Sequence, residues 1–299
     1  MAEADTSFDA IVIGAGFSGL YMLHRLRRLG VRARVLEMAE DVGGTWLFNR
    51  YPGARCDIES IEYSYSFSEE IQQEWVWTES MPAQPEIEAY LNFVADRLDL
   101  RRDIQFDTRV VAMNFDEDAG AWLVRTETGD VYTAPFIVAA SGILSVPLEP
   151  DFPGMGSFAG TSLYSSRWPK QGFDLTGKRV GIIGTGSTGV QLIPVVAREA
   201  LQLCVFQRSP AFTLPWTVHQ GVHPALDGAP IRGRRAGRDE GPLRRDPRRA
   251  AGTPHRGGAT ERVLGAAGDA EQAAVEVGDA RRAAERDRGA RRHGRAQLG

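Results

Sequence analysis

Apolar and polar positions near the N-terminus follow an order that predicts a strand, a helix and a second strand. Residues 8–13 are apolar apart from one aspartate, which is typical of a short buried strand. Leucines recur every three residues through residues 19–29, the spacing of one helix face, and Gly30 is a typical stop signal. Residues 34–37 predict the second strand. This order indicates a βαβ unit opened by a glycine-rich turn.

The middle of the chain predicts a loop, a helix and several short strands. Residues 43–57 are rich in glycine, proline and aromatic residues and predict an ordered loop. A helix is expected from about residue 86 to residue 98, after two prolines. The following stretch predicts short strands with turns at residues 116–120 and 129–130, and it ends in an apolar strand over residues 136–140.

A second βαβ pattern follows a proline-rich connection. Residues 179–183 predict a strand, residues 184–189 a glycine-rich turn, residues 190–200 a helix and residues 203–206 another strand. Pro194 is expected to kink this helix or to lie in its first turns. The chain therefore predicts two units of the same kind, one after the other.

The composition changes sharply near residue 220. Every aromatic residue lies in residues 1–220, whereas residues 221–299 contain no aromatic residue and no lysine but hold 17 of the 33 arginines. Residues 221–299 carry a net charge of +6, and residues 1–220 carry −10. Two regions this different are not expected to share one core. Residues 266–286 could form a solvated helix, and the rest of this tail has the composition of disorder.

The origin of the tail has two explanations. Our hypothesis is that residues from about Gly221 are a shifted-frame translation of a GC-rich gene, because such codons read out of frame give Arg, Ala, Gly and Pro. The alternative is a genuine basic tail that contacts nucleic acid or acidic surfaces. Retranslation of the DNA in its other two frames decides between them, since only a frameshift restores sequence that continues the preceding domain.

Overall composition narrows the class of protein. The chain has 299 residues, of which 42% are hydrophobic and 25% charged, with a pI of about 5.8, as expected for a globular protein of one or two domains. It has no apolar run of membrane-spanning length and no secretory signal pattern. Cys56 and Cys204 lie far apart, so neither a disulfide framework nor a metal site is expected, and the cytoplasm is the expected location.

Both glycine-rich turns have the form GxGxxG between a predicted strand and a predicted helix, which is the context of dinucleotide binding. The first glycine allows the tight turn, the second lets a pyrophosphate approach the backbone, and the third permits close helix–strand packing. The helix N-terminus then faces the phosphate charge. The alternative is a glycine-rich turn that binds no ligand.

The residues after each turn separate two ligands. Glu37 ends the second strand of the first unit, where a carboxylate accepts hydrogen bonds from ribose hydroxyls and repels a 2′-phosphate, so FAD or NAD fits there. The matching position of the second unit holds Gln207, Arg208 and Ser209, with no acid. Arg208 can pair with a 2′-phosphate and Ser209 can donate to it, which indicates NADPH. The alternative for Arg208 is an ordinary surface arginine.

Three further segments resemble one enzyme family. Residues 43–46 read Gly-Gly-Thr-Trp, residues 49–57 read Asn-Arg-Tyr-Pro-Gly-Ala-Arg-Cys-Asp, and residues 158–169 fit the pattern FxGxxxHxxxWP except at one position. Together with the two glycine-rich turns, residues 8–218 resemble the Baeyer–Villiger monooxygenases. Tyr164 stands where that family has histidine. A tyrosine cannot become cationic near neutral pH, which puts in doubt any coupling that this histidine provides between NADPH-domain movement and oxygenation.

The resemblance implies a flavin-dependent monooxygenase that inserts one oxygen atom of O2 next to a ketone carbonyl, giving an ester or lactone. In that family NADPH reduces FAD, O2 adds at flavin C4a, and the resulting peroxyflavin attacks the ketone. Asp57 matches the family aspartate that orients a catalytic arginine; its alternative is a loop-capping aspartate. Thr45 and Trp46 match positions packed against the flavin, and the alternative for Trp46 is an ordinary core aromatic residue. The region of the catalytic arginine is not recognisable after about Gln220.

The candidate site residues follow from the motifs and the resemblance. Asp57 is the candidate catalytic residue. The predicted FAD-binding residues are Gly14, Gly16, Phe17, Ser18, Gly19, Glu37, Gly44, Thr45, Trp46 and Asp57. The predicted NADPH-binding residues are Gly184, Gly186, Ser187, Thr188, Gly189, Gln191, Arg208 and Ser209. No metal ligand is predicted.

The expected fold is α/β, with two Rossmann-like dinucleotide-binding domains that are incomplete and a disordered or partly helical C-terminal tail. Residues 1–150 are assigned to the FAD-binding domain, residues 151–220 to the NADPH-binding domain and residues 221–299 to the tail. A ketone and O2 are the expected small-molecule partners, with no nucleic acid or membrane partner. Two alternatives to ketone oxygenation stay open: an N- or S-oxygenating flavin monooxygenase, and a truncated fragment that binds a dinucleotide without catalysis.

Overall fold

The computed structural model describes residues 6–211 and residue 213, together with the backbone of Ala274–Gly278. Within these residues the strands form three sheets, and helices pack against two of them. The described helices include none with the length and apolar character needed to cross a bilayer.

The first sheet contains the predicted N-terminal βαβ unit. Strand β1 (Ala10–Ile13), helix α1 (Phe17–Arg28) and strand β2 (Ala33–Leu36) follow one another, and the two strands pair in parallel. Strands β3 (Ile104–Gln105) and β7 (Phe136–Ala139) flank them, giving the parallel order β3-β2-β1-β7. The predicted unit is confirmed, and its helix begins two residues earlier than expected, directly after the second glycine of the turn.

Helix α1 covers this sheet with one apolar face. Leu20 and Leu23 are buried, and they pack in the same core as Val12 of β1 and Val35 of β2. Leu29 continues the same leucine spacing but is 61% exposed. The helix ends at Arg28, so the side chain of Leu29 leaves the helical face that the spacing predicts.

Three helices follow in the stretch between β2 and β3. Helix α4 (Gln84–Arg97) confirms the predicted helix, with Pro85 in its first turn, where a backbone N–H is not needed. Helix α3 (Glu69–Glu74) starts after Ser68, whose hydroxyl accepts a hydrogen bond from the N–H of Ile71. The predicted loop over residues 43–57 contains a short helix, α2 (Thr45–Phe48), which the loop prediction missed.

A three-stranded antiparallel sheet lies between β3 and β7 in sequence. It consists of β4 (Val110–Asp116), β5 (Ala121–Thr126) and β6 (Val131–Ala134), in that spatial order. Both connections are short turns at the positions expected from Gly120 and Gly129, whose φ angles are positive. The predicted strands and turns of this stretch are therefore confirmed.

The second α/β unit has its own small core. Strand β9 (Arg179–Ile183), helix α5 (Ser187–Glu199) and strand β10 (Gln202–Phe206) confirm the second βαβ unit, with the two strands parallel. Strand β8 (Thr161–Tyr164), which the sequence did not predict, belongs to the same sheet. Pro194 lies in the middle of α5 and not in its first turns.

The tail contributes a strand where the sequence allowed a helix. The predicted helix over residues 266–286 is wrong at Ala274–Gly278, which forms strand β11 between β8 and β9, antiparallel to both. Two β-branched valines in alternation favour a strand, and the gap between β8 and β9 supplies backbone partners on both sides. The tail therefore shares a sheet with the second unit, contrary to the expected separation. The remaining predictions for residues 221–299 lie outside the described residues.

Candidate functional site

A cavity of about 470 Å³ opens beyond the carboxyl end of β1, between the first glycine-rich turn and the segment around α2. Most of the residues predicted to bind FAD line its wall. They are Gly14, Gly16, Phe17, Ser18, Glu37, Gly44, Thr45 and Trp46. Gly19 and Asp57 do not belong to this wall. The structure thus gathers into one concave surface residues that lie more than thirty positions apart in sequence.

Two glycines of the first turn are required by backbone contacts. Gly14 has a φ of +100°, and a Cβ atom there would lie 2.7 Å from the carbonyl oxygen of Ala140. A Cβ atom on Gly19 would lie 1.8 Å from the carbonyl oxygen of Gly14. Because backbone atoms cannot yield as a flexible side chain does, only glycine fits either position. Gly19 therefore supports the cavity from behind without lining it.

The second glycine of the turn meets the segment before α2. A Cβ atom on Gly44 would lie 3.0 Å from the Cα atom of Gly16, so the two chains run backbone to backbone. The N–H of Gly43 also donates a hydrogen bond to the carbonyl of Ala15 at 3.2 Å. These contacts join the glycine-rich turn and the start of α2 into one continuous wall.

Glu37 is a buried carboxylate held by backbone groups. It is 4% exposed, its Oε2 atom accepts a hydrogen bond from the N–H of Ala15 at 2.5 Å, and its Oε1 atom accepts one from the N–H of Ala39 at 2.9 Å. An ionised carboxylate offers about four acceptor positions, so acceptor capacity remains for hydroxyl groups in the cavity. The structure places Glu37 where the sequence predicts a ribose-binding carboxylate.

The N-termini of α1 and α5 leave backbone donors available. Gly16 and Gly186 are the residues before these helices, and neither helix has a side-chain cap or an acidic residue in its first turn. The first backbone N–H groups of a helix have no partner within the helix and carry partial positive charge. Both termini therefore have the character of anion-binding sites.

Trp46 is both a core residue and part of the cavity wall. It is 9% exposed, and its indole Nε1 donates a hydrogen bond to the hydroxyl of Tyr63 at 3.1 Å. The two rings meet edge to face, with centroids 5.9 Å apart. Burial raises the pKa of Tyr63 above its usual value. The two interpretations of Trp46 are thus compatible.

The second glycine-rich turn shares two backbone features with the first. Gly184 has a φ of +102°, and a Cβ atom on Gly189 would lie 2.6 Å from the carbonyl oxygen of Gly184. Gln207 donates from Nε2 to the Thr185 hydroxyl oxygen at 3.0 Å, which ties the end of β10 to the turn. The Thr185 hydroxyl in turn donates to the carbonyl oxygen of Ser209 at 3.5 Å, so Ser209 also lies next to the turn.

The remaining residues predicted to bind NADPH lie around this turn. Gly186 precedes α5, and Ser187 and Thr188 open it. Arg208 follows Gln207 and is exposed, so the structure brings it to the surface next to the turn. Trp168 of the third resembling segment is instead buried in the core of the second unit, and Tyr164 ends β8.

Asp57 and Gln191 have neighbours that the sequence did not reveal. Asp57 is exposed and accepts a hydrogen bond from Gln191 Nε2 at 2.7 Å. The hydroxyl of Tyr51 donates to Gln191 Oε1 at 2.9 Å. Tyr51 and Gln191 are 140 positions apart, so no local pattern could have indicated their contact. A contact between Gln191 and NADPH stays a prediction.

Comparisons with known proteins agree on one family. The family model described as flavin-binding monooxygenase-like matches residues 9–225. An acetone monooxygenase (methyl acetate-forming) from Gordonia sp. (strain TY-5) is 48% identical over 210 residues, which is 70% of this chain and 39% of that protein. A phenazine N-monooxygenase from Lysobacter antibioticus is 48% identical over 211 residues, again 70% of this chain and 39% of that protein.

A solved structure supports the same assignment of the fold. An oxidised steroid monooxygenase bound to NADP superposes with a TM-score of 0.70 at 54% sequence identity, covering 72% of this chain and 41% of that one. The chain thus spans about two fifths of the length of the relatives it matches. Its α/β architecture is that of the corresponding part of a two-domain FAD/NADP flavoprotein.

Proposed function

Because the chain belongs to the flavin-binding monooxygenase-like family, we propose that it holds FAD and NADPH for the oxygenation of a ketone to an ester or lactone. The observation that carries this proposal is the buried carboxylate of Glu37, which lies in the wall of a cavity built from the first glycine-rich turn and the start of α2. That combination suits a dinucleotide whose ribose has a free 2′-hydroxyl.

The described residues fit FAD in several independent ways. The missing Cβ atoms of Gly16 and Gly44 let the glycine-rich turn and the start of α2 meet backbone to backbone in the cavity wall. The uncapped N-terminus of α1 supplies donors and positive potential for a pyrophosphate. Glu37 would accept hydrogen bonds from the ribose, and Thr45 and Trp46 would pack against the isoalloxazine ring. A volume of about 470 Å³ lies within the usual range of small-molecule sites.

NADPH is assigned to the second unit. Its pyrophosphate would lie at the N-terminus of α5, next to Ser187 and Thr188, and the first turn of this helix contains no acidic residue. Arg208 and Ser209 would bind the 2′-phosphate, because a guanidinium forms charge-assisted hydrogen bonds with phosphate oxygens. We assign residues 1–150 to the FAD-binding domain and residues 151–220 to the NADPH-binding domain.

When bound, FAD would supply the redox chemistry, taking electrons from NADPH and passing them to O2. The residues of this chain would bind, orient and shield it. Trp46 and Tyr63 form an apolar wall with a satisfied internal hydrogen bond, which limits water next to the ring. Asp57 would act from outside the cavity wall, as an anionic group between the two units.

Oxygenation of nitrogen is the second candidate. The phenazine N-monooxygenase relative matches the same share of this chain, 70%, at the same identity, 48%, as the acetone monooxygenase. The resembling segments at residues 43–57 and 158–169 favour the ketone reaction.

The two cysteines of this chain bear on its cellular location. We place it in the cytoplasm, which supplies NADPH and keeps thiols reduced, in agreement with two cysteines that form no disulfide, Cys56 and Cys204. A small ketone and O2 are its proposed partners.

The experiment is reconstitution of the purified chain with FAD, followed by NADPH oxidation with acetone, cyclohexanone or phenazine. The proposal expects a yellow protein that consumes NADPH with a ketone and forms the ester or lactone, detected by gas chromatography. N-oxide formed from phenazine without ketone products would favour the second candidate. A protein that binds FAD and NADPH without any product would leave the binding part standing and contradict the reaction.

A further inference from the structure

The side-chain amide of Gln191 is fully engaged with one segment of the chain. Its Oε1 atom accepts hydrogen bonds from the hydroxyl of Tyr51 at 2.9 Å and from the N–H of Arg55 at 3.2 Å. Its Nε2 atom donates to the carbonyl of Arg55 at 3.1 Å and to Oδ1 of Asp57 at 2.7 Å. A primary amide has two donors and two acceptor positions, so residues 51–57 use its whole capacity.

The backbone of the same segment lies directly on α5. Gly53 has a φ of +84°, and a Cβ atom there would lie 2.5 Å from the carbonyl oxygen of Gln191 and 3.0 Å from Cγ2 of Val195. Tyr51 also packs against the core of the second unit, and its hydroxyl forms a hydrogen bond with Thr188. We call residues 51–57 the docked loop.

The other side of the docked loop is attached to the first unit. The carbonyl of Ala54 accepts a hydrogen bond from the N–H of Gln84 at 2.9 Å, and the N–H of Cys56 donates to the carbonyl of Pro82 at 2.9 Å. Gln84 in turn donates from Nε2 to the carbonyl of Trp46 at 2.5 Å, in the wall of the cavity. The docked loop is therefore held between the first cavity and α5.

We infer that Gln191 is a positioning residue, which holds the docked loop on α5 and thereby sets where the Asp57 carboxylate lies between the two nucleotide sites. The identity of those sites rests on the proposed function, whereas the docking is a property of this chain alone. A leucine at position 191 has similar volume but none of these hydrogen bonds. A glutamate keeps the two acceptors and replaces the donors with a charge next to Asp57, which costs more.

Cys56 is a built-in reporter of docking. It is 5% exposed, it lies within the docked loop next to Asp57, and burial raises the pKa of its thiol. An alkylating reagent therefore reaches and reacts with it mainly when the loop opens. Cys204 is exposed, so it is replaced by serine in every variant. The rate of Cys56 labelling by iodoacetamide is then followed by mass spectrometry.

We expect Q191L to label about tenfold faster than the C204S parent, which corresponds to about 1.4 kcal/mol of docking free energy. Q191E is expected to label faster still. Adding D57N to Q191E should slow labelling again, in part, because an asparagine amide can donate to the new carboxylate. Q202L, at an exposed glutamine of β10, is the matched control and should stay within twofold of the parent.

Labelling of Q191L at the parent rate, or failure of D57N to slow Q191E, would overturn the inference. Circular dichroism and the thermal midpoint show whether a variant has unfolded. If Q191L does not fold, Y51F removes only the hydrogen bonds of the Tyr51 hydroxyl, to Gln191 and Thr188, and it should label two- to fivefold faster. An unchanged rate would overturn the inference. Titration of the C204S parent with FAD and NADP+ is run in parallel. Absence of binding would contradict the proposed function and leave the labelling result valid.

Discussion

A Cβ atom on Gly44 would lie 3.0 Å from the Cα atom of Gly16, so the two glycine-rich segments meet backbone to backbone at the wall of the cavity. The contact depends on two residues without side chains, 28 positions apart in sequence. It joins the glycine-rich turn before α1 to the segment before α2. The sequence of the turn alone does not determine where that segment lies. The shape of the cavity follows from this contact.

We expect G44A to weaken FAD binding about tenfold, because the added methyl group pushes the two segments apart by a few tenths of an ångström. Isothermal titration calorimetry measures the effect. G30A is the matched control, since Gly30 also has a positive φ, +72°, but nothing lies within 4 Å of its would-be Cβ atom. G30A should lose about 1 kcal/mol of unfolding free energy from backbone strain and bind FAD normally. Equal FAD affinity of G44A and G30A would contradict the account.

Arg208 should determine the preference for a 2′-phosphate. We expect R208A to weaken NADP+ binding by about 10- to 100-fold, because charge-assisted hydrogen bonds to phosphate are lost, and to leave NAD+ binding within threefold. Calorimetric titrations with both nucleotides test this. R198A, at an exposed arginine in the last turn of α5, is the control and should change neither affinity. A parallel loss of NAD+ and NADP+ binding in R208A would instead indicate a general structural role.

Tyr65 and Tyr90 should make the fold sensitive to alkali. The N–H of Tyr65 donates to the hydroxyl of Tyr90 at 2.8 Å, and burial raises the pKa of both phenols above the usual value of about 10. The folded protein therefore keeps protons that the unfolded chain releases. Stability is fully present below about pH 10 and falls above it, by up to about 1.4 kcal/mol per pH unit for each group.

Urea unfolding between about pH 8 and pH 11 measures this slope. Y90F removes one titrating group, so its slope above pH 10 should be shallower, and it should lose about 1–3 kcal/mol at pH 8 because the N–H of Tyr65 loses its partner. F93L removes a neighbouring ring without a phenol and should keep the parent slope. An unfolding free energy that rises with pH in this range would show that the assigned sign is wrong.

Local features of the sequence are sufficient to predict both βαβ units and the position of Glu37. Residues 10–36 carry a strand, a helix face and a glycine-rich turn in immediate succession, so the position of Glu37 one residue after β2 follows from counting. Gly14 and Gly19 were predicted for the same reason, since their contacts lie within the turn or at the adjacent strand.

Contacts between distant segments could not be predicted in this way. The sequence-based prediction places Gln191 among the NADPH-binding residues, and nothing near it in sequence indicates that its amide is used by residues 51–57. Strand β11 shows a second limit. The alanine-, glutamate- and arginine-rich composition of residues 266–286 favours a helix, but the valines of Ala274–Gly278 and the open position between β8 and β9 favour a strand.

Glu37 is the residue on which the proposed FAD binding depends most directly, because its carboxylate would bind the ribose. Glutamine at this position keeps the size of the side chain but removes the charge and replaces one acceptor with a donor that faces a backbone N–H group. Calorimetric titration of the 299-residue chain with FAD is therefore compared between the parent, E37Q and the control E117Q, whose glutamate is exposed in a hairpin turn. We predict saturable binding of one FAD by the parent and by E117Q, and binding at least tenfold weaker by E37Q. Equal FAD affinity of E37Q and the parent, or no FAD binding by a folded parent chain, would contradict the account.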